Sequence, residues 1–465
     1  MTAPRQTPHL RPVAHFTARD TWLNDPNGLV HVGGTYHLFF QNNPEGSTWG
    51  NMSWGHATST DLVTWTEHEV ALRHTEQEQI FSGSVVVDHD NTAGFAGPGE
   101  TALVAIYTSA YSASSPLHGR QVQSLAYSVD AGMTWTPHAG NPVLDRESSD
   151  FRDPKVFRWG GADGYWVMAA VEAADRQVVL YSSPDLRTWT LLSEFGPAHA
   201  VGGVWECPDL FPVRVAGTGE TRWVLVVSLT PGALAGGGGT QYFVGDFDGV
   251  RFVPERLSAR EELAGFDWLD HGRDYYAAVS FDNVPEDRRL MIGWANNWDY
   301  AAETPTWPWR GAMSLAREVD LVRCPDGALR VRQRPVLPTD IEGLTVFDLE
   351  VPSGPGEVSE VRITTADGAD PLLLRVDGDA RTLSCDRSRC GDVDFHPSFP
   401  SEDTATLRLA GATTRLRVVV DACLVEVFAE DGLVTLTQQV FPTAPLTTYD
   451  TRTVVRSGHA PGDAR

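Results

Sequence analysis

Short apolar stretches rich in β-branched and aromatic residues recur along the chain, separated by clusters of Gly, Pro, Asn and Asp. This pattern is typical of β-strands joined by turns, because branched side chains suit a pleated sheet and small polar residues suit tight turns. Amphipathic helices of three or more turns are absent from the pattern, apart from a short candidate near Ala259 to Leu263. The chain is therefore predicted to be all-β. The clearest runs are TYHLFF, SVVVD, LVAIYTS, YWVMAAV, QVVLYSS, RWVLVVS and LMIGWA.

A degenerate repeat places an aromatic residue after a strand and a Ser/Asp turn, at Trp65, Trp135, Trp189 and Phe252. The aromatics lie roughly 55 to 70 residues apart, a spacing that suits β-propeller blades carrying an extra loop. Hairpin turns that simply favour Asp and Trp would explain any single copy, but not four in succession. Together with the segment from WANNW to REVDL, the repeat predicts a five-bladed β-propeller.

The composition of the sequence changes near residue 340, where tryptophan becomes rare and strands such as VRITTA, LLLRVD and LRVVVDACLVEVFAE begin. Such strands are typical of a β-sandwich. A chain of 465 residues is also too long for one ordinary hydrophobic core. Two domains are therefore predicted, a propeller over 1–340 and a C-terminal β-sandwich over 341–465.

The net charge of −25 repels phosphate backbones and anionic lipids, so nucleic acid and membranes are not expected as partners. The five cysteines show no metal-binding spacing, and Cys385 and Cys390 are expected to be buried thiols rather than a disulfide. The first residues lack the apolar core of a secretory signal. The sequence thus favours a cytoplasmic protein, or a secreted one if a leader has been removed.

Three carboxylates have aromatic, apolar and proline neighbours: Asp25 in WLNDPNGL, Asp153 in FRDPKVF and Glu206 in VWECPDLF. A carboxylate in such surroundings loses hydration and must be paired, hydrogen-bonded or protonated. Each alone could be structural, as an Asx turn, an ion pair with Arg152 or a loop cap. Because they recur in equivalent contexts of successive repeats, a propeller would bring them to one end of its channel. Paired carboxyl groups are what glycosidic cleavage requires.

At these segments the sequence resembles glycoside hydrolase family 32, the β-fructosidases. WLNDPNG, FSGS, FRDP, WECPDLF, DHGRDYYA, WANNW and VEVFAEDG occur in the order of that family and cover nearly the whole chain. The resemblance implies a five-bladed propeller followed by a β-sandwich. It also implies double displacement with retention, in which Asp25 is the nucleophile, Glu206 the acid/base and Asp153, with Arg152, the stabiliser of the transition state. No metal or cofactor is implied.

The resemblance further implies a fructose pocket in which amide and hydroxyl groups bind the sugar hydroxyls and aromatic faces cover the ring. Its expected lining, besides Arg152, consists of Asn24, Gln41, Trp49, Phe81, Ser82 and Trp294. The neighbours Trp205 and Cys207 are expected to favour the neutral form of Glu206, whereas backbone donors are expected to keep Asp25 ionised. The expected substrates are sucrose, fructo-oligosaccharides and fructans of the levan or inulin type.

Two alternatives remain open at the level of the sequence. A fructosyltransferase, including one that forms a difructose dianhydride from levan, shares the covalent intermediate and differs in the acceptor. A non-catalytic sugar-binding protein could use the same scaffolds, although the three intact carboxylates argue against it. The preferred linkage, exo or endo action and the oligomeric state do not follow from the sequence.

Overall fold

A computed structural model describes residues 7–258 and 262–456. The described residues are almost entirely strands and turns, so the all-β prediction is confirmed. Helical structure in them is confined to short 3-10 turns at Pro8–Leu10, Gly161–Asp163, Leu263–Gly265, Pro285–Asp287 and Glu430–Gly432. The helix predicted near 259–263 falls partly on residues 259–261, which lie outside the described residues, and Leu263 begins a 3-10 turn instead.

The first twenty strands form five four-stranded antiparallel sheets within the described part of the chain, and each sheet takes its strands in sequence order. The first sheet contains β1 (Trp22–Val32), β2 (Thr35–Asn43), β3 (Ser53–Ser59) and β4 (Thr66–Glu67). The second contains β5 (Glu78–Asp88), β6 (Ala102–Tyr111), β7 (Gln121–Ser128) and β8 (Thr136–Pro137). The third contains β9 (Phe151–Trp159), β10 (Tyr165–Glu172), β11 (Gln177–Ser183) and β12 (Thr190–Phe195). The fourth contains β13 (Val204–Arg214), β14 (Thr221–Thr230), β15 (Gly239–Phe247) and β16 (Phe252–Pro254). The fifth contains β17 (Tyr276–Ser280), β18 (Leu290–Trp294), β19 (Arg317–Arg323) and β20 (Leu329–Pro335).

The first strand of each sheet lies against the first strand of the next, so β1, β5, β9, β13 and β17 form a ring. The ring closes where the fifth sheet meets the first: the His31 amide donates to the Asp282 carbonyl (3.0 Å), and the Asp282 amide to the Leu29 carbonyl (2.9 Å). Closure of this kind leaves the innermost strands no free edge. The predicted propeller is thereby confirmed.

The repeated aromatics mark the outer end of four sheets. Trp65, Trp135 and Trp189 directly precede the short fourth strands, and Phe252 begins one. In the three tryptophan turns the aspartate side chain accepts hydrogen bonds from backbone amides two to four residues further on. These carboxylates satisfy the turn backbone while the rings pack into the cores of the sheets, so the repeat is structural.

The C-terminal part is a sandwich of two antiparallel sheets, as predicted, with the apolar faces of both sheets forming one core. The segment 336–343 separates it from β20. One sheet has the order β21 (Leu344–Pro352), β26 (Thr413–Asp421), β27 (Leu424–Ala429) and β28 (Val434–Gln439). The other has the order β25 (Glu402–Thr406), β24 (Thr382–Asp386), β23 (Leu372–Asp377), β22 (Glu357–Thr365) and β29 (Leu446–Val455).

Buried ion pairs join the sandwich to the propeller. Arg317 of β19 contacts Glu426 of β27 at 2.9 Å and Asp270 at 3.0 Å, and all three side chains are buried. Arg387, which follows β24, contacts Asp274 of the propeller at 2.5 Å. Breaking a buried pair by removing one partner is costly, because the other charge stays desolvated. These contacts fix the position of the sandwich on the propeller.

All five cysteines are buried and free, as expected for Cys385 and Cys390. Among the described residues, none of the helices has the length and apolarity needed to span a bilayer.

Candidate active site

Each of the five innermost strands carries one polar residue at a point where its pairing register shifts. These residues are Asp25, Ser82, Asp153, Glu206 and Tyr276. A β-bulge bends the strand locally and turns a side chain away from its regular direction. The irregularities therefore direct one side chain from every strand of the ring toward a common site. Each of the five contacts another of them, through a hydrogen bond or through the shared residue Cys207.

Asp25 is part-buried and held by side-chain donors. Its Oδ1 accepts a hydrogen bond from the side-chain amide of Asn24 (3.0 Å), and its Oδ2 accepts one from the Ser82 hydroxyl (2.8 Å). Burial, and secondly the neighbouring charge of Glu206, raise the pKa of Asp25 above its ordinary value, although the two donors oppose the shift. The sequence predicted that backbone donors keep this carboxyl group ionised; in the structure the side chains of Asn24 and Ser82 hold it, and desolvation is the largest influence on its pKa.

Asp153 occupies a strained position, with a φ of 61°. Its own amide donates to the Thr108 hydroxyl (2.9 Å), and its Oδ2 accepts from the Cys207 amide (2.9 Å). Burial raises the pKa of Asp153 to about 7, against the opposing charge of Arg152. Strained backbone and a strongly shifted carboxyl group together are features of a functional site.

Glu206 is held from both sides. Arg152 donates to its Oε1 through Nε (3.2 Å) and Nη2 (3.1 Å), and the Tyr276 hydroxyl donates to its Oε2 at 2.5 Å. Burial, followed by the charge of Glu206, raises the pKa of Tyr276 far above its ordinary value, so the phenol keeps its proton and acts as a donor. Both carboxylate oxygens of Glu206 are thus oriented by neighbouring strands.

Cys207 connects the other two carboxylates. Its thiol lies 3.6 Å from Asp25 Oδ2 and 3.7 Å from Asp153 Oδ2. Burial raises the pKa of this thiol well above its ordinary value, so it stays uncharged between two carboxyl groups. A small neutral donor therefore stands where a further negative charge would be costly.

The predicted aromatic lining residues belong to two separate groups of aromatic contacts. Trp49, which is 48% exposed, meets Phe81 edge-on with ring centroids 6.2 Å apart. On the other side, buried Trp294 lies between Trp22 (6.3 Å) and Tyr276 (6.5 Å). Trp49 is thus partly open to solvent, whereas Trp294 is enclosed.

Of the residues predicted to line the pocket, Asn24, Ser82 and Arg152 contact the carboxylates directly. Trp294 is connected to them indirectly: its ring contacts the ring of Tyr276, and the Tyr276 hydroxyl donates to Glu206. Gln41 is buried one layer away: its amide donates to Asn27 Oδ1 (2.7 Å) and to the Ile80 carbonyl (3.1 Å), which ties β1 to β5.

Sequence reasoning gave no role to Tyr276 or Thr108, and it considered Cys207 only as a neighbour that favours the neutral form of Glu206. Tyr276 lies within the DHGRDYYA run, which was recognised only as a motif. Its role was recoverable in principle, since four innermost strands each supply a polar residue and the fifth strand of a ring should do the same. Thr108 lies on a second strand and contacts a backbone amide, so no local signal marks it.

A closed ring of strands with three converging carboxyl groups supplies the paired carboxylates that a glycosidase requires. Comparison with known families agrees: residues 15–335 match the glycosyl hydrolases family 32 N-terminal domain and residues 339–460 match the family 32 C-terminal domain. The chain belongs to glycosyl hydrolase family 32.

Among its relatives, a levanase of Bacillus subtilis is 43% identical over 93% of this chain and 66% of its own length. The extracellular exo-inulinase of Aspergillus awamori is 39% identical over 92% of this chain and 89% of its own. The crystal structure of that exo-inulinase matches with a TM-score of 0.86, covering 98% of this chain and 96% of its own. A fructofuranosidase of Schwanniomyces occidentalis, complexed with fructose, matches at 31% identity with a TM-score of 0.83 over 98% and 96% of the two chains.

Proposed function

We propose that this protein is a retaining β-fructosidase that releases fructosyl units from fructans of the levan or inulin type and from sucrose. The observation that carries the proposal is the convergence of Asp25, Asp153 and Glu206 on one site, joined by Arg152 and Cys207. The names of the levanase, exo-inulinase and fructofuranosidase relatives support fructosyl substrates.

In the proposed reaction Asp25 attacks the anomeric carbon while Glu206 protonates the departing oxygen. The hydrogen bonds from Asn24 and Ser82 orient the attacking carboxylate. Water, deprotonated by Glu206, then displaces Asp25 from the fructosyl ester and gives fructose with retained configuration. Glu206 can serve both steps because Arg152 and Tyr276 hold its two oxygens in a fixed orientation.

Asp153 is proposed to bind sugar hydroxyls and to stabilise the oxocarbenium-like transition state together with Arg152. Trp49 and Phe81 are proposed to cover the sugar at the exposed side, and Trp294 at the buried side. Gln41 is proposed to act in the pocket, and its contacts with β1 and β5 support at least a role in holding those strands together.

Product analysis tests the reaction and its acceptor. The enzyme is incubated separately with sucrose, levan and inulin, and the products are separated by chromatography. Free fructose as the dominant product supports hydrolysis, whereas longer oligosaccharides or a dianhydride would show that a sugar hydroxyl intercepts the intermediate. No conversion of any of the three would contradict the proposed function.

Azide rescue of Glu206→Ala tests the mechanism. The phenolate of an aryl fructoside needs little protonation to leave, so the fructosyl ester on Asp25 should form in this variant. The ester should then persist, because the attacking water no longer has Glu206 as its base. Added azide, which needs no base, should restore turnover and give a β-fructosyl azide. Asp25→Asn is the matched control and should not be rescued. An α product would show single displacement instead.

The cellular location stays a prediction. The relative from Aspergillus awamori is named as extracellular, which supports the alternative of a secreted protein over a cytoplasmic one.

A further inference from the structure

Arg152 divides its guanidinium group between Glu206 and two residues outside the carboxylate cluster. Its Nε and Nη2 donate to Glu206 Oε1, whereas Nη1 donates to Asp150 Oδ1 (3.3 Å) and Gln121 Oε1 (3.2 Å). The planar guanidinium has donors in a fixed fork, so fixing one edge fixes the direction of the other. Asp150 and Gln121 hold the edge that faces away from Glu206.

The two outer partners are themselves held by the backbone. The Asp150 carbonyl accepts from the Ala173 amide (2.9 Å), and the Asp150 amide donates to the Ser148 hydroxyl (3.0 Å). The Ser149 hydroxyl donates to Asp150 Oδ2 (2.7 Å), which leaves Oδ1 for Arg152. The backbone amide of Gln121 donates to the Ser148 carbonyl (2.9 Å). The second and third sheets therefore place both acceptors rigidly.

We propose that Asp150 and Gln121 are positioning residues that orient Arg152 toward Glu206 and, through the charge of Asp150, set the alkaline limit of the proposed reaction. This inference rests on the proposed role of Glu206 as the acid. Among the described residues, neither Asp150 nor Gln121 forms a hydrogen bond with Asp25, Asp153 or Glu206. Each therefore acts through Arg152.

The charges facing Glu206 determine the sign of the effect. Arg152 supplies the positive charge, and Asp25 and Asp153 supply negative charge when ionised, which for Asp153 is above a pKa of about 7. Tyr276 and Cys207 contribute protonated, neutral donors. Asp150 adds a third carboxylate close to Arg152, and its side chain is 37% exposed. It partly neutralises the guanidinium and so weakens the stabilisation of ionised Glu206.

The test compares the pH dependence of kcat/KM on sucrose in wild-type enzyme, D150N and Q121E. The alkaline limb reports loss of the acid's proton. D150N removes negative charge, favours the Glu206 carboxylate and should move this limb to lower pH by roughly 0.3 to 0.8 units. Q121E adds negative charge beside Arg152 and should move it to higher pH. D150E keeps the charge and should leave the limb near the wild-type position.

D145N is the matched control, because Asp145 lies on the same segment but pairs with Arg120 at 2.6 Å rather than with Arg152. Its alkaline limb should stay within about 0.1 unit of wild type, because Asp145 is paired with Arg120 and forms no ion pair with Arg152. In D150N, loosening of Arg152 should also lower kcat about 3- to 10-fold with a smaller change in KM.

Shifts of the alkaline limb to lower pH in D150N and to higher pH in Q121E, with no shift in D145N, support the inference. An unmoved limb in D150N, an equal shift in D145N, or shifts of the same sign in D150N and Q121E would overturn it. Fructose release by the wild-type enzyme reports separately on the proposed function, so a failure there is distinguishable. Melting temperatures of the folded variants show whether a lower kcat reflects instability.

Discussion

Tyr276 of the fifth sheet donates a 2.5 Å hydrogen bond to Glu206 of the fourth. The contact crosses between neighbouring innermost strands, and both residues lie at register shifts of their strands. Arg152 holds the other oxygen of the same carboxylate. The orientation of Glu206 therefore depends on side chains from two different sheets, and removal of either should change catalysis without removing the carboxyl group itself.

Tyr276→Phe should lower kcat about 10-fold or more, because a carboxylate free to rotate is less often aligned for proton transfer. Loss of a donor also disfavours the ionised carboxylate, so the alkaline limb of kcat/KM should move to higher pH. Steady-state kinetics between pH 4 and 9 measures both effects.

The matched control for this variant is Tyr275→Phe. Tyr275 is the adjacent buried tyrosine, and its hydroxyl forms none of the hydrogen bonds that hold Glu206. Losing that hydroxyl should leave kcat and the pH profile unchanged. Equal effects of the two substitutions would show that the loss in Tyr276→Phe comes from general disturbance of β17.

Asp153→Asn should stabilise the fold while it cripples turnover. The pKa of Asp153 is raised by burial to about 7, from an unfolded value of about 4. Between these values the unfolded chain has released the proton and the folded protein has kept it, so wild-type stability falls as the pH rises. The asparagine side chain of the variant cannot ionise, so the variant does not lose this stability as the pH rises.

The measurement is the melting temperature of Asp153→Asn relative to wild type at pH 4 and pH 8. We expect the difference to grow toward pH 8 in favour of the variant, by several degrees. Asp246→Asn changes the same charge at an exposed position and should show no such trend. A difference that does not depend on pH would contradict the raised pKa.

The sequence predicted the sheets of the propeller well, because strand runs and aromatic turns are local signals. Trp65, Trp135 and Trp189 follow their aspartates within one turn, so the pattern is visible without the fold. Asp25, Asp153 and Glu206 were recognisable for a related reason, since each lies in an apolar segment where a charge is unexpected.

The contacts between the carboxylates could not be predicted in this way. Cys207 reaches Asp25 across 182 positions of sequence, and only closure of the ring brings the two together. The raised pKa of Asp25 likewise depends on the burial that the assembled sheets produce. Positions at bulges with a positive φ, such as Asp153, add a constraint that residue type alone does not reveal.

Arg387→Met should destabilise the folded protein by about 3–5 kcal/mol, because Asp274 would remain buried without its cation. Arg387 donates to Asp274 at 2.5 Å and to the Tyr300 hydroxyl at 2.9 Å, across the contact between the domains. Denaturant unfolding gives the change in free energy. Arg389→Met, two positions away and exposed, should change it by less than about 0.5 kcal/mol. Similar losses in the two variants would show that the interdomain pair is not the cause.

His15 should make the attachment of the sandwich to the propeller sensitive to alkaline pH. Its Nδ1 lies 2.7 Å from Asp421 and its Nε2 3.2 Å from Glu426, and all three side chains are buried. Burial alone would lower the pKa of His15, but the two carboxylates outweigh burial and raise it to about 9. The stabilisation is therefore fully present below the unfolded value of about 6.5 and is lost as the pH rises through about 9.

The test compares the melting temperatures of wild-type protein and His15→Gln from pH 6 to pH 10. Glutamine keeps a polar group in the site but carries no charge, so the variant lacks the part of the stability that depends on protonation. The deficit of His15→Gln should be largest at pH 6 and should shrink as the pH approaches 10. His9→Gln, an exposed histidine of the same segment, should show no deficit at any pH. A deficit of His15→Gln that stays constant across the range would mean that His15 acts through packing, and that its charge contributes nothing to holding the two domains together.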